Sequence, residues 1–221
     1  MKINNYIDHT LLKQTATNKE IKELCLEAIK YDFATVCVNP TQIELAKQTL
    51  KGSNVGITTV IGFPLGATLT SVKAFETKEA LNRGANEIDM VVNIGAVKDG
   101  NWDLVLEDIK EVKKQAPNNI VKVILETCLL TNEEIIKVCE LALESGVEYV
   151  KTSTGFSTQG ATFEVVKLML SVVKGRAKVK AAGGVKTYED AKKMIDLGVS
   201  RIGTSSGVKI IEGISIENNN Y

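Results

Sequence analysis

The sequence predicts a single-domain (β/α)8 TIM barrel, and two observations carry that prediction. Short apolar runs rich in β-branched residues alternate with segments of helical periodicity along the 221 residues. Eight such runs occur, with no linker or low-complexity break between them. Regular alternation is typical of parallel βαβ units, and eight strands close into a barrel at this chain length. We expect the barrel at 1–213 and a polar, flexible tail at 214–221.

The eight predicted strands are short, and the first is the weakest. They lie at 6–10, 33–39, 55–63, 86–93, 120–127, 147–153, 177–182 and 200–205. A doubly wound open sheet is the alternative arrangement. Its dinucleotide signature, G-x-G-x-x-G, is absent from the sequence, so the closed barrel is favoured.

The helices between these strands are predicted from their spacing and their ends. The first has a buried face at i, i+3, i+4, i+7 and i+8, formed by Ile21, Leu24, Cys25, Ala28 and Ile29. Thr17 with Glu20 and Thr131 with Glu134 have the spacing of capping boxes, which satisfy free N–H groups of a first turn. Left-handed helix ends are expected at Gly84, Gly146 and Gly198.

Composition argues against several classes of protein. Lys plus Arg and Asp plus Glu both number 27, so the net charge is zero and does not favour binding to nucleic acid or an anionic membrane. No window is long and apolar enough for a membrane span, and the N-terminus lacks a signal-peptide core. One histidine rules out a His-rich metal site. Four cysteines without a C-x-x-C pair indicate reduced thiols in a cytoplasmic protein: Cys25, Cys37, Cys128 and Cys139.

Two lysines stand in apolar strands near their ends. Lys151 follows the apolar core of the sixth predicted strand, and Lys180 lies in the seventh, just before two glycines. Barrel enzymes take their functional groups from the C-terminal ends of strands, so both ammonium groups should meet at the mouth. At about 5 Å and an effective dielectric constant of about 20 they repel by roughly 3 kcal/mol, or about two pKa units. A lysine depressed in this way can attack a carbonyl as a free amine and form a Schiff base. Outward-pointing lysines that lie between helices are the alternative, and this suits a lone lysine better than a pair.

A carboxylate and two glycine-rich turns complete the predicted site. Asp89 lies in mid-strand among apolar residues, and if it faces the barrel interior it can hold a lysine ammonium or relay a proton through water. The alternative is an aspartate at a frayed or exposed position of the strand. Asp8 is a weaker candidate of the same kind. The turns after the seventh and eighth strands lie where barrel enzymes bind phosphate, and they offer backbone N–H groups, hydroxyls and a cation. The residues concerned are Gly183, Gly184, Lys186, Ser205 and Ser206. The sequence therefore predicts an amine-catalysed carbonyl reaction, best fitted by carbon–carbon cleavage, on a small phosphorylated compound.

Five motifs resemble, in order and spacing, the deoxyribose-phosphate aldolases of the shorter bacterial type. They are IDHTLL, EIDMVVNIGAV, YVKTSTGF, VKAAGGVKT and RIGTSSG, within residues 7 to about 208. The resemblance implies a class I aldolase without metal or cofactor, which reversibly splits 2-deoxy-D-ribose 5-phosphate into acetaldehyde and D-glyceraldehyde 3-phosphate. It also implies a part in deoxyribonucleotide catabolism and a homo-oligomer, either a dimer or a tetramer.

The same resemblance implies roles for individual residues. Lys151 is the Schiff-base nucleophile, Lys180 the cation that lowers its pKa, and Asp89 a member of the proton relay. Phosphate would bind near Lys186, at Gly155, Gly183, Gly184, Ser205 and Ser206. Sugar hydroxyls or ordered water would meet Asp8, Thr10 and Thr154, with Cys37 close to the pocket.

Two positions and two alternative functions stay open. Phe156 stands where some family members have a lysine that helps bind phosphate, so phosphate binding would rest on backbone donors and Lys186. Tyr221 is hypothesised to assist proton transfer, as a mobile C-terminal tyrosine does in some relatives. The alternatives are another lysine-dependent barrel aldolase acting on a ketose phosphate, and a barrel that binds a sugar phosphate without catalysis.

Overall fold

The fold is a closed parallel barrel, seen in a computed structural model that describes residues 3–213. The predicted tail at 214–221, and Tyr221 with it, lie outside the described residues. Each strand pairs in parallel with the next along the chain, and the eighth pairs with the first. The predicted (β/α)8 barrel is confirmed.

Seven of the eight strands are shorter than predicted, and β1 has the predicted length but lies one residue later in the chain. They are β1 (Ile7–Leu11), β2 (Thr35–Val38), β3 (Gly56–Ile61), β4 (Glu87–Val91), β5 (Ile120–Ile124), β6 (Tyr149–Lys151), β7 (Lys178–Ala182) and β8 (Arg201–Thr204). The helices are α1 (Asn18–Tyr31), α2 (Ile43–Thr49), α3 (Thr70–Arg83), α4 (Ile94–Lys98), α5 (Trp102–Gln115), α6 (Asn132–Glu144), α7 (Phe163–Val173), α8 (Tyr188–Asp196) and α9 (Gly207–Glu212).

The helix ends follow the sequence signals, with one error on a helix face. Both predicted capping boxes form, at the starts of α1 and α6. All three glycines predicted at helix ends have positive φ angles. Ile29, however, was assigned to the buried face of α1 and is 38% exposed. Eight residues beyond Ile21, the helix has turned by about 80° from the centre of that face.

The barrel has an apolar shell and a charged interior. Outward side chains of the strands, such as Val36, Ile88 and Val179, are buried in the main hydrophobic core with apolar residues of the helices. Many inward positions instead carry Asp, Glu, Lys, Arg and Thr side chains, most of them buried, beside a small apolar cluster that includes Cys37 and Val60. Within residues 3–213, no helix combines the length and apolarity needed to cross a membrane.

Candidate active site

Seven charged side chains meet inside the barrel because the strand register aligns them. Lys151 is paired with Lys180 across β6 and β7, and Asp89 with Lys122 across β4 and β5. Alternate side chains of a strand point to the same face, so aligned positions project into the same space. The buried cluster consists of Asp8, Glu87, Asp89, Lys122, Lys151, Lys180 and Arg201.

Asp89 lies at the centre of this cluster. Its Oδ2 atom accepts hydrogen bonds from Nζ of Lys151 and Nζ of Lys180, each at 2.8 Å. Its Oδ1 atom accepts from Nζ of Lys122, also at 2.8 Å. The two lysines singled out by the sequence therefore flank one carboxylate oxygen.

The other three members are Asp8 of β1, Glu87 of β4 and Arg201 of β8. Asp8 contacts Nζ of Lys180 and accepts from Nη1 of Arg201 at 2.6 Å. Glu87 pairs with Nζ of Lys122 at 2.6 Å and with Nη1 of Arg201 at 3.1 Å. Every carboxylate of the cluster thus bridges at least two cations.

The cluster contains four basic and three acidic groups, so one cation is in excess. Within the described chain Lys151 makes one ion pair, through an oxygen that it shares with Lys180. Each of the other three cations pairs with at least two carboxylates. The cluster becomes neutral when one lysine gives up its proton, and Lys151 is the lysine with the least compensation.

The pKa directions agree with this charge count. Burial lowers the pKa of Lys151; Asp89 opposes the effect, and the charge of Lys180 lowers the pKa further. Burial also acts to lower the pKa of Lys180, but Asp8 and Asp89 outweigh it and raise that pKa. Burial acts to raise the pKa of Asp89, but the lysines around it hold that pKa well below its usual range.

The cause of the Lys151 shift differs from the expectation in one respect. Repulsion from Lys180 is the cause expected from the sequence, whereas burial is the largest cause in the structure. Burial and the charge of Lys180 both lower the pKa of Lys151, because each of them disfavours the charged form of its amine.

A cavity of about 430 Å³ lies at the mouth of the barrel, and Lys151 reaches it. Among residues 3–213, the other six members of the cluster do not line it. Asp8, expected at sugar hydroxyls or water, is instead fully buried against Lys180 and Arg201. Cys37 is also fully buried and does not line the cavity, and burial raises the pKa of its thiol.

The remaining residues of the predicted site surround this cavity. They are Thr10, Thr154, Gly155, Gly183, Gly184, Lys186, Ser205 and Ser206. The loops after β6 and β7 pack backbone against backbone, since a Cβ atom on Gly160 would lie 2.3 Å from the carbonyl of Gly183. This contact brings Gly155 and Gly183 together on one side of the cavity.

Phe156 also lines the cavity, where it makes an edge-to-face contact with Phe63 at 5.2 Å between ring centroids. Lys13, from the loop after β1, lines the cavity as well and pairs with Glu20. Position 156 carries no cation. Within the described residues, the lysines that line the cavity besides Lys151 are Lys13 and Lys186.

Sequence reasoning missed several of these residues. Lys122 lies in the middle of an apolar strand, and the criterion that selected Lys180 would have found it. Glu87 and Arg201 stand at the starts of their strands, where exposed charges are common, so only the closed register reveals their contacts. Lys13 carries no signal in the sequence.

Comparison with known proteins identifies the family of this chain. The family model described as DeoC/LacD family aldolase matches residues 3–215. The chain belongs to the DeoC/LacD family of aldolases. The family expected from the sequence motifs is thus confirmed, and the aldolase is a carbon–carbon lyase.

Individual relatives match the aldolase over nearly its whole length. Deoxyribose-phosphate aldolase 1 of Mesoplasma florum is 66% identical, with 96% of this chain and 97% of that protein aligned. Deoxyribose-phosphate aldolase of Streptococcus suis is 57% identical over the same shares. A solved tetrameric deoxyribose phosphate aldolase from Aeropyrum pernix is 32% identical, with a TM-score of 0.89 and coverage of 95% of this chain and 89% of that one.

Proposed function

We propose that this aldolase reversibly cleaves 2-deoxy-D-ribose 5-phosphate to acetaldehyde and D-glyceraldehyde 3-phosphate through a Schiff base on Lys151. The observation that carries the proposal is the position of Lys151, since it is the least compensated cation of the cluster and its side chain lines the cavity. The high identity to deoxyribose-phosphate aldolases over nearly the whole chain supports the substrate.

The proposed chemistry follows from a buried neutral amine. The amine of Lys151 attacks C1 of the open-chain sugar, and loss of water leaves a protonated imine. A base removes the proton of the C3 hydroxyl, the C2–C3 bond breaks, and its electrons reach the imine nitrogen to give an enamine. D-glyceraldehyde 3-phosphate leaves. Protonation of the enamine at C2 and hydrolysis then release acetaldehyde and restore the amine.

The neighbouring residues divide the remaining tasks. Lys180 and Asp89 set the charge on Lys151, and Asp89 orients its amine through a 2.8 Å contact. The phosphate binds at the rim formed by Gly183, Gly184 and Ser206, near Lys186. Backbone N–H groups are suited to this task because they need no charge to bind an anion closely.

The proposal is tested by measuring acetaldehyde release from 2-deoxyribose 5-phosphate. We expect turnover by the native protein and a loss of roughly 10⁴-fold or more in Lys151→Leu. Turnover of a ketose bisphosphate without turnover of deoxyribose 5-phosphate would instead identify the alternative aldolase. Tight binding of the sugar phosphate by a folded protein, without turnover of either substrate, would identify a barrel that only binds.

We further propose that the aldolase is a homo-oligomer. Four large apolar side chains, between 45% and 74% exposed, stand close together in sequence on α3 and the loop before it: Leu65, Leu69, Val72 and Phe75. Large exposed apolar side chains suit contact with a second copy of the chain, and the relative from Aeropyrum pernix is tetrameric. Light scattering should show a multimer of the 24.0 kDa chain, reduced in size by Leu69→Glu. A native monomer would exclude the proposal.

A further inference from the structure

Glu126, two residues after β5, has an unusual backbone and an unusual environment. Its φ and ψ angles of 56° and 60° lie in the left-handed region, which costs free energy for a residue with a side chain. Its side chain is buried, yet within residues 3–213 it makes no ion pair. Strain of this kind is retained where the surrounding structure uses it.

The backbone on both sides of Glu126 is attached to the strand that carries Lys151. The N–H of Leu125 donates to the carbonyl of Lys151 at 2.9 Å, and the N–H of Thr127 donates to the carbonyl of Thr152 at 3.0 Å. Glu126 is therefore fixed beside the loop that follows β6.

The side chain of Glu126 binds one residue of that loop, Thr154. Its Oε1 atom accepts from the N–H of Thr154 at 3.2 Å, and its Oε2 atom contacts the Thr154 hydroxyl. The N–H of Phe156 donates to the same hydroxyl oxygen at 3.0 Å. Thr154 itself lines the cavity.

These contacts fix the direction of the hydroxyl. A carboxylate can only accept hydrogen bonds, so the single hydrogen of the Thr154 hydroxyl is donated to Glu126. The N–H of Phe156 occupies one acceptor position on the oxygen. One lone pair of the Thr154 hydroxyl oxygen remains for a ligand. Thr154 can therefore accept a hydrogen bond from a ligand in the cavity but cannot donate one.

We propose that Glu126 is a positioning residue that makes Thr154 an obligate acceptor and thereby selects a substrate with a free hydroxyl group. The inference rests on the proposed function. The carbonyl and phosphate oxygens of D-glyceraldehyde 3-phosphate can only accept, whereas its C2 hydroxyl can donate. Thr154 therefore recognises the C2 hydroxyl of this aldehyde.

The experiment compares two aldehydes in condensation with acetaldehyde, namely D-glyceraldehyde 3-phosphate and its 2-deoxy-2-fluoro analogue, whose fluorine is close in size to the hydroxyl and can accept a hydrogen bond but cannot donate one. We expect the native protein to favour the hydroxylated aldehyde in kcat/KM by on the order of 100-fold or more. In Glu126→Gln the amide oxygen still accepts from the N–H of Thr154. Its NH2 group then faces the hydroxyl and turns the hydroxyl hydrogen toward the cavity. The preference should fall below about tenfold.

Variants of Thr154 separate this role from a structural one. Thr154→Val should lose the preference, and Thr154→Ser should keep it. The double variant Glu126→Gln with Thr154→Val should be no less selective than Thr154→Val alone, because Glu126 acts through Thr154. If Glu126→Gln does not fold, Glu126→Asp, whose carboxylate is withdrawn by one methylene group, should lower the preference instead.

An unchanged preference in the Glu126 variants, or an equal loss on both aldehydes, would overturn the inference. Borohydride trapping of acetaldehyde on Lys151 is run in parallel on each variant. A native protein that is not trapped and does not turn over disproves the proposed function. Trapped variants with native selectivity disprove the role of Glu126 alone.

Discussion

Two buried lysine sites in this protein show opposite ways to place an ammonium group out of water. Lys73 on α3 pairs with one carboxylate, Asp108 of α5, at 2.5 Å, and donates to the carbonyl of Val91 at 2.9 Å. Lys151 instead shares Asp89 with two other lysines. Both lysines have a lowered pKa, and burial is the largest cause in each case.

The carboxylates make the difference clear. Burial raises the pKa of Asp108, because one lysine does not offset the loss of water. In the barrel the opposite holds, since the surplus of cations keeps the pKa of Asp8 and of Asp89 below the usual value despite burial. A one-to-one pair spreads the cost of burial over both partners. In the cluster of four cations and three carboxylates, the cost of burial falls mainly on Lys151. Within the described chain, Lys151 is the one member of the cluster that lines the cavity.

The largest effect is expected on stability, at the one-to-one pair. Lys73→Met leaves Asp108 buried without its partner and should lower the free energy of unfolding by about 3–5 kcal/mol. Lys73→Met with Asp108→Leu should recover most of this loss, because neither charge remains. Chemical denaturation measures both values. Activity per folded molecule should equal that of the native protein in both variants; a change would mean that this pair also serves the active site.

Lys180→Met should have the next largest effect, on the pH dependence of cleavage. Removing this cation raises the pKa of Lys151, so less of its amine is neutral at pH 7. We expect a rate roughly 100-fold lower there, recovering as the pH rises. The Lys73→Met, Asp108→Leu double variant is the matched control and should keep the native profile. A loss at all pH values alike would give Lys180 a role other than setting the charge.

Lys122→Met tests the charge count itself. Three cations then face three carboxylates, the surplus is gone, and Lys151 keeps its proton more firmly. The acid side of the pH–rate profile should move up by about one unit, with a roughly tenfold lower rate at pH 7. Lys122→Arg preserves the charge and should restore the native profile. If the two variants behave alike, shape rather than charge explains the effect.

The smallest effect is expected at the rim. Phe156→Lys places a third cation beside Lys13 and Lys186, so KM for 2-deoxyribose 5-phosphate should fall about three- to tenfold, with kcat nearly unchanged. Unphosphorylated 2-deoxyribose is the control, and its KM should not fall. A parallel fall for both sugars would mean that the gain does not come from phosphate.

The barrel and the two lysines at its mouth could be predicted from the sequence because local patterns of residues indicate them. Alternating strands and helices predicted the barrel, and a lysine within an apolar strand is conspicuous at Lys151 and Lys180. The surplus of charge was not predictable in this way. It depends on Glu87 and Arg201, which look in the sequence like the charged residues found at many strand ends. It also depends on the strand register, which is known only once β8 pairs with β1. The burial of Lys73 could not be predicted either, because a lysine on a helix is normally exposed.

The most direct test of the central claim is borohydride reduction of the protein in acetaldehyde at neutral pH, followed by peptide mass mapping. The claim is that charge surplus and burial leave Lys151 as a free amine at the cavity, which Lys73, Lys122 and Lys180 do not line. An ethyl group on Lys151, with Lys73, Lys122 and Lys180 unlabelled, is the predicted result. Label on Lys180 or Lys122 instead, or a folded protein without label on any of the four, would contradict it.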